Sequence, residues 1–358
     1  MALLVYFCTM QVETELFSEE QSESLYERKT FVVDPGQEPY RIDKWIQMHL
    51  EGATRNKIQQ AIEAGFLTVN GKNVKSNYKI RPADEIVVMS LINPDHTVLK
   101  EEDIPLNIVY EDEAIMVINK PANMVVHPGV GNFSGTLLNG VAFYLRKQNP
   151  SIDEEKLPRF GLVHRIDKNT TGLIVVAKTG EAASHLAKQF FNHTVKRNYV
   201  ALVWGNIAEK EGTIEAHIAR HKQNRKMFDA YPEGDTGKHA ITHYKVIEQF
   251  NYVTLVECIL ETGRTHQIRV HMKHIGHTLF NDWEYGGDKI LKGTIYTKYK
   301  QFVDNCFEIC NRCALHAKTL GFIHPITQKE VFFESDLPND MQQVIAKWKN
   351  YSLHRNDE

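Results

Sequence analysis

Apolar residues along this 358-residue chain fall into short runs whose spacing alternates between helical and extended periods. Between Arg41 and Leu50, the residues Ile42, Trp45, Ile46 and Leu50 share one helical face. A second helix is expected from Thr54, a good N-cap, to Gly65, a good C-terminal stop. Phe66 to Val69, Asn70-Gly71 and Lys72 to Val74 then predict a tight hairpin, because Asn-Gly supplies the positive backbone angles of a type I′ turn. Farther on, Asn107 to Tyr110 and Ala114 to Asn119 predict a second hairpin, followed by a Lys120-Pro121 turn and a short strand at Met124 to Val126. Strands at Leu173 to Ala177, Tyr199 to Val203, His243 to Ile247 and Val253 to Leu260 alternate irregularly with helices near Ala182 to Asn192 and Thr265 to His274. That order argues for an α+β fold with a mixed, mainly antiparallel sheet and flanking helices, preceded by a small helix-helix-hairpin module.

The polar positions divide the chain. Residues 1–37 are rich in Glu and Ser and are expected to form an acidic, mobile extension. Residues 38–94 make the small module, and residues 95–358 the larger domain, with acidic residues between Asp95 and Asp103 and with Pro94 and Pro105 marking the linker. The net charge of −3 conceals an asymmetry: the first 40 residues carry eight acids against two bases, and residues 41–81 carry eight bases against three acids. A basic module behind an acidic tail points to a polyanionic partner. Arg41, Lys44, Arg55, Lys57 and Lys72 are the cations expected on its exposed face.

With 42% hydrophobic residues the chain can bury a sizeable core. Cys8, Cys258, Cys306, Cys310 and Cys313 are odd in number and mostly crowded together, unlike an extracellular disulfide framework, so a reducing cytoplasm is expected. The apolar start, Met1 to Phe7, has no basic leader and is too short to span a bilayer, which predicts neither a signal peptide nor a membrane anchor.

Candidate chemistry concentrates in Gly161-Leu162-Val163-His164-Arg165-Ile166-Asp167-Lys168-Asn169-Thr170-Thr171-Gly172, which sets one carboxylate among cations just before a β-branched run. Alone, such an aspartate reads as a turn residue bonding its own backbone. The segment resembles the His-Arg-Leu-Asp signature of the RluA-type RNA pseudouridine synthases, with Ile166 in place of leucine. Four later blocks extend the likeness to roughly residues 38 to 350: Lys196-Arg197-Asn198-Tyr199, Gly263-Arg264-Thr265-His266-Gln267, Asn281-Asp282-Trp283-Glu284-Tyr285-Gly286-Gly287, and Arg312-Cys313-Ala314-Leu315-His316-Ala317. The small module likewise resembles the RNA-binding domain of ribosomal protein S-four type, through Arg-Ile-Asp-Lys, Thr-Arg-Asn-Lys-Ile and Val-Asn-Gly.

The resemblance implies a pseudouridine synthase fold with a central catalytic cleft, Asp167 as nucleophile or base, Tyr199 as the active-site tyrosine and Arg264 as the arginine paired with Asp167. It implies that Arg165 enters the base stack vacated by a flipped uridine, with His164 and Lys196 also on the RNA. It implies no cofactor and no metal. Cys306, Cys310 and Cys313 share their spacing with a radical-SAM iron-sulfur loop, but they lie near the C-terminus and beside a family block. The likeness is nearest to the large ribosomal subunit pseudouridine synthase D group, so the expected partner is large-subunit (23S) ribosomal RNA, met by a cytoplasmic, monomeric isomerase. The basic run Arg220 to Lys226 is expected to line RNA. An RNA-binding ribosome assembly factor, or a synthase acting on transfer RNA, is the alternative.

Overall fold

The structure, a computed structural model, describes residues 26–355 apart from 51–54, 64, 66, 92–98, 130–131, 153–156, 222–223, 225–226, 233, 235 and 295. The expected Thr54 cap, most of the acidic extension, the first part of the linker and most of the basic run after Arg220 lie outside the described residues. The chain divides into two compact units near Lys100.

In the first unit, β1 (Tyr26–Val32) precedes helices α1 (Ile42–His49) and α2 (Arg55–Glu63), the hairpin β2 (Leu67–Val69) and β3 (Lys72–Asn73), and β4 (Glu85–Leu91). The four strands form one sheet in the order β1-β4-β2-β3. Asn70 and Gly71 both take positive φ, 50° and 72°, as the type I′ turn requires. Ile42, Trp45, Ile46, Ile58, Ile86 and Val88 join the core over this sheet. The acidic extension is shorter than expected, because Tyr26 to Val32 pairs antiparallel with β4 along its length.

Two of the expected RNA-facing cations in this unit have an internal task. Asp43 is fully buried and accepts from Arg41 Nε at 3.1 Å, Arg55 Nε at 3.0 Å and Gln59 Nε2 at 2.8 Å. Burial opposes the charge on Asp43, but these donors outweigh it and hold the carboxyl far below the usual carboxylate range. Arg55 therefore ties α2 to α1 and Arg41 braces the start of α1, while they keep side-chain exposures of 43% and 39%. Lys44 and Lys72 are exposed, and Lys57 sits within α2.

The second unit is built on a ten-stranded sheet. Its elements in chain order are β5 (Ile108–Glu111), β6 (Ile115–Lys120), α3 (Leu137–Gln148), β7 (Thr171–Ala177), α4 (Gly180–Phe191), β8 (Lys196–Trp204), β9 (Glu211–Arg220), β10 (Phe228–Tyr231), β11 (Lys238–Phe250), β12 (Val253–Leu260), α5 (Gln267–His274), α6 (Thr297–Ile309), β13 (Leu315–Ile323), β14 (Glu330–Glu334) and α7 (Asn339–Arg355). The order is β10-β9-β11-β12-β8-β13-β7-β6-β5, with β14 on β13. Neighbours are antiparallel except β13 and β7, whose short parallel contact pairs His316 with Thr171 and Ala317 with Gly172. The α+β expectation thus holds. No strand forms at Met124 to Val126; the Val125 and Val126 carbonyls instead accept from Leu137 and Leu138 N–H at the start of α3. Among the described residues no helix is long and apolar enough to cross a membrane.

Cores lie on both sides of this sheet's strands. Leu173, Val175, Leu186, Val195 and Phe322 form one cluster, and Leu202, Trp204, Phe280, Val303 and Trp348 another. Cys306 and Cys310 are buried in the second cluster, where burial pushes both thiols up to about 12. They are inert apolar packing at neutral pH.

Candidate active site

Strand β7 meets β13 only at its first two residues, so the edge beyond Gly172 is open to another partner. The loop that carries Asp167 takes that place. Leu162 bridges to Val176, and the Val175 N–H donates to His164 Nε2 at 2.9 Å. The His164 ring stacks on Phe190 with centroids 4.3 Å apart. Burial, then the charge of Arg197, pushes the imidazole down to about 3. Expected as an RNA-binding cation, His164 is instead a neutral acceptor that fastens the loop to the sheet, because a protonated ring has no lone pair for Val175.

Beyond Asp167 the chain turns, with Thr170 N–H donating to the Asp167 carbonyl at 3.2 Å. Two fully buried cations hold the next carbonyls. Lys120 Nζ donates to Lys168 O at 3.1 Å and to Pro121 O and Met124 O at 2.7 and 2.9 Å. Burial, then the charge of Arg312, pushes this amine down to about 7. Arg312 Nη1 donates to Asn169 O at 3.0 Å, while its other nitrogens grip Asp340 on α7 at 2.7 and 3.0 Å. The loop ends at Gly172, with φ of 115°; a Cβ there would come within 2.2 Å of Ala317 O, so only glycine permits the parallel pairing with β13.

The facing wall is the turn into α5. His266 takes a left-handed conformation, φ 55°, which starts the helix at Gln267 rather than at Thr265. Gln267 is 3% exposed and fixes the turn from within: its Oε1 accepts from Thr262 Oγ1 and Arg264 N at 2.8 and 2.9 Å, and its Nε2 donates to Ile241 O and Thr242 Oγ1 at 2.9 Å each. One turn on, Arg269 points back at the loop, its Nη1 3.5 Å from Asp167 Oδ2. Its Nε and Nη2 each lie 2.7 Å from Asp282, Nη2 also meets Glu284, and the guanidinium lies 4.7 Å from the Tyr285 ring centroid. Burial works against this charge, but the Asp282 hydrogen bonds more than compensate and raise the pKa. His266 Nε2 is 3.9 Å from the same Asp167 oxygen, with Nδ1 2.8 Å from Tyr285 Oη.

The arginine expected to pair with Asp167 is thus corrected. Arg264 lies in the same cleft but donates its Nε to His239 O at 2.9 Å, while Arg269 makes the Asp167 contact. The left-handed turn at His266 separates them: Arg264 precedes it on the rim, and Arg269 follows it on the inward face of α5.

Tyr199 comes from the middle of β8, between Cys258 of β12 and Ala317 of β13. It is 9% exposed, its hydroxyl makes no recorded hydrogen bond among the described residues, and it lines the cleft with Asp167, Arg264 and Arg269. Burial raises its pKa, with Arg197 opposing and Asp167 reinforcing, so it meets a ligand as a neutral phenol. Arg165 is exposed on the rim. Lys196, expected on RNA, pairs with Glu330 of β14 at 2.5 Å and does not line the cleft. Nothing local in the sequence marks Lys120, Arg269, Arg312 or Asp340 as parts of this site; their places depend on tertiary packing.

The enclosed space is about 620 Å³, with Ile166, Phe190, Leu260, Ile268 and Leu315 as its apolar lining. That volume suits one small organic ligand between an aromatic ring and a carboxylate.

Comparison with known proteins identifies the family. The pattern of the RNA pseudouridylate synthase family matches residues 114–274, and that of the S4 domain matches residues 41–86. A Chlorobaculum parvum protein named as an uncharacterized RNA pseudouridine synthase is 45% identical over 319 residues, 89% of this chain and 97% of its own. The ribosomal large subunit pseudouridine synthase D of Zymomonas mobilis is 40% identical over 309 residues, 86% of this chain and 94% of its own. The structure of human RNA pseudouridylate synthase domain containing 4, 20% identical, superposes with a TM-score of 0.52 over 68% of this chain and 93% of that one, a likeness of fold. With relatives at 40–45% identity over most of both chains, this chain belongs to the RNA pseudouridine synthase family, and the enzyme is an isomerase.

Proposed function

We propose that this synthase isomerises specific uridines of large-subunit (23S) ribosomal RNA, with Asp167 acting on a uridine flipped into the cleft. The observation that carries this reading is the meeting of Asp167, Arg269 and Tyr199 in one cleft, with Asp167 half-buried and aimed by an arginine that is itself anchored on Asp282.

The isomerisation breaks the bond from ribose C1′ to uracil N1, turns the base, and joins C1′ to C5. The proton lost from C5 is balanced by one gained at N1, with no net oxidation or hydrolysis. A carboxylate serves this chemistry by attacking the sugar, by stabilising an oxocarbenium-like centre, or by removing a sugar proton. Arg269 keeps the carboxylate oriented without leaving its own charge unmatched. Tyr199 supplies a ring face for the uracil and a hydroxyl near the C5 proton. Extruding the base costs a few kcal/mol, and the exposed Arg165 is placed to fill the vacated stack. The S4 module, with Lys44, Lys57, Lys72 and the outer faces of Arg41 and Arg55, holds the RNA backbone. The name of the Zymomonas mobilis relative supports the ribosomal substrate.

An Asp167→Asn protein should bind RNA and form no pseudouridine. Turnover by that variant sinks the mechanism. Pseudouridine maps of cells with and without the gene check the substrate: positions lost from large-subunit ribosomal RNA support the assignment, and losses confined to transfer RNA overturn it.

A further inference from the structure

Charge around the cleft is unbalanced. Arg165, Arg197, Arg264 and Arg269 line it, and among the described residues Asp167 is its one lining carboxylate. Arg269 is matched by Asp282, Glu284 and Asp167, whereas Arg264 gives a single N–H to a backbone carbonyl. Arg197 makes no recorded hydrogen bond or ion pair among the described residues, and its buried Nε has no partner. Such an orphan inside a functional cleft calls for a ligand as its explanation.

The position of Arg197 is built. It stands two residues before Tyr199 on β8, so both side chains leave the same face of the strand. Its guanidinium lies 5.8 Å from the Phe190 ring centroid. Gly263 also lies close, since a Cβ there would sit 2.7 Å from Nη1. The side chain is therefore held by close approach to both an aromatic ring and a glycine, and Arg264 follows that glycine directly. His193, on the rim, is pushed below the ordinary histidine range by burial and then by the charges of Arg264 and Arg197, so both guanidinium groups act on one spot.

We propose that Arg197, held close to Phe190 and Gly263, and Arg264 together seat a phosphodiester of the bound RNA beside the nucleotide held at Asp167. RNA as the ligand rests on the function proposed above. A phosphodiester supplies both the acceptors that Arg197 lacks and the negative charge that the rim lacks, in the geometry a guanidinium fork matches. A uracil carbonyl would supply an acceptor and leave the charge unanswered.

The test is the salt dependence of binding of a short single-stranded oligouridylate, measured in an Asp167→Asn background so that no turnover is needed. Arg197→Gln and Arg264→Gln should each weaken binding about tenfold at low salt and flatten the slope of log K against log salt by about 0.7, the value for one phosphate contact on single-stranded RNA. Gly263→Ala should reproduce the Arg197→Gln effect, because the new methyl displaces the end of a flexible side chain, and adding it to Arg197→Gln should change little. Thermal midpoints monitor folding. An unaltered slope in Arg197→Gln, or wild-type binding by Gly263→Ala, overturns the assignment. So does an Arg197→Gln enzyme, with Asp167 intact, that keeps affinity and slope yet loses turnover at saturating RNA, since its guanidinium would then act on the base. If the Asp167-intact enzyme forms no pseudouridine while these binding shifts appear, the activity reading falls and the anion seat stands.

Discussion

Replacing Arg312 with methionine should destabilise the enzyme far more than a lone charge near the C-terminus suggests. The side chain is 1% exposed and donates to Asp340 at 2.7 and 3.0 Å, to Asn169 O at 3.0 Å and to Cys313 O and Leu315 O at 3.1 Å each. Cys313 O keeps the Leu315 N–H at 2.8 Å, and Asp340 is 27% exposed and can be hydrated, so neither is fully stranded. Among the described residues Asn169 O has no other donor. Orphaning a buried carbonyl costs roughly 1–3 kcal/mol, and removing one partner of a buried ion pair roughly 3–5 kcal/mol. Because Asp340 reaches water, the expected loss is about 3–4 kcal/mol. Arg312→Lys keeps the charge but not the fork, and should recover about half of that. Urea unfolding measures both, with an unchanged m-value showing that only stability moved. The folded Arg312→Lys enzyme should also turn over about tenfold more slowly, equivalent to about 1.4 kcal/mol of lost loop positioning. An Arg312→Met protein within about 1 kcal/mol of wild type would refute the reasoning.

Acidification should loosen the loop through His164. Its folded pKa is about 3 and the unfolded value about 6.5, so the unfolded chain binds more protons between these limits, and stability present above pH 6.5 is lost as pH falls toward 3. His164→Gln, which keeps an acceptor but does not titrate, should flatten that part of the unfolding curve by up to about 1 kcal/mol per pH unit, and parallel curves would disprove it. Gly172→Ala should cost more than about 3 kcal/mol, because the methyl meets Ala317 O at 2.2 Å in a conformation that L residues avoid; a thermal midpoint like wild type would contradict the close approach.

The first helix pair and the hairpin were legible because their signals are local, as the observed φ values at Asn70 and Gly71 show. Asp167 and Tyr199 were legible from the wording around them, and both line the cleft. The arginine at Asp167 was not, since Arg264 and Arg269 sit five residues apart around the same short helix, and the left-handed turn at His266 decides which one points inward. Lys120 was legible only as part of a turn and Arg312 only as part of a family-like block; their burial follows from strands and helices far away in sequence. The pairing of Tyr26 to Val32 was hidden for the same reason, its partner β4 lying more than fifty residues on.

The parallel contact between β13 and β7 has a consequence for the order in which the protein matures. Thr171 and Gly172 are held by His316 and Ala317, residues synthesised long after them. During translation the S4 module can emerge and close on its own core while the segment bearing Asp167 has no neighbour on its outer edge. On the function proposed above, a nascent chain is able to hold RNA before it is able to modify it, because the strand that closes this edge, β13, is among the last to be made.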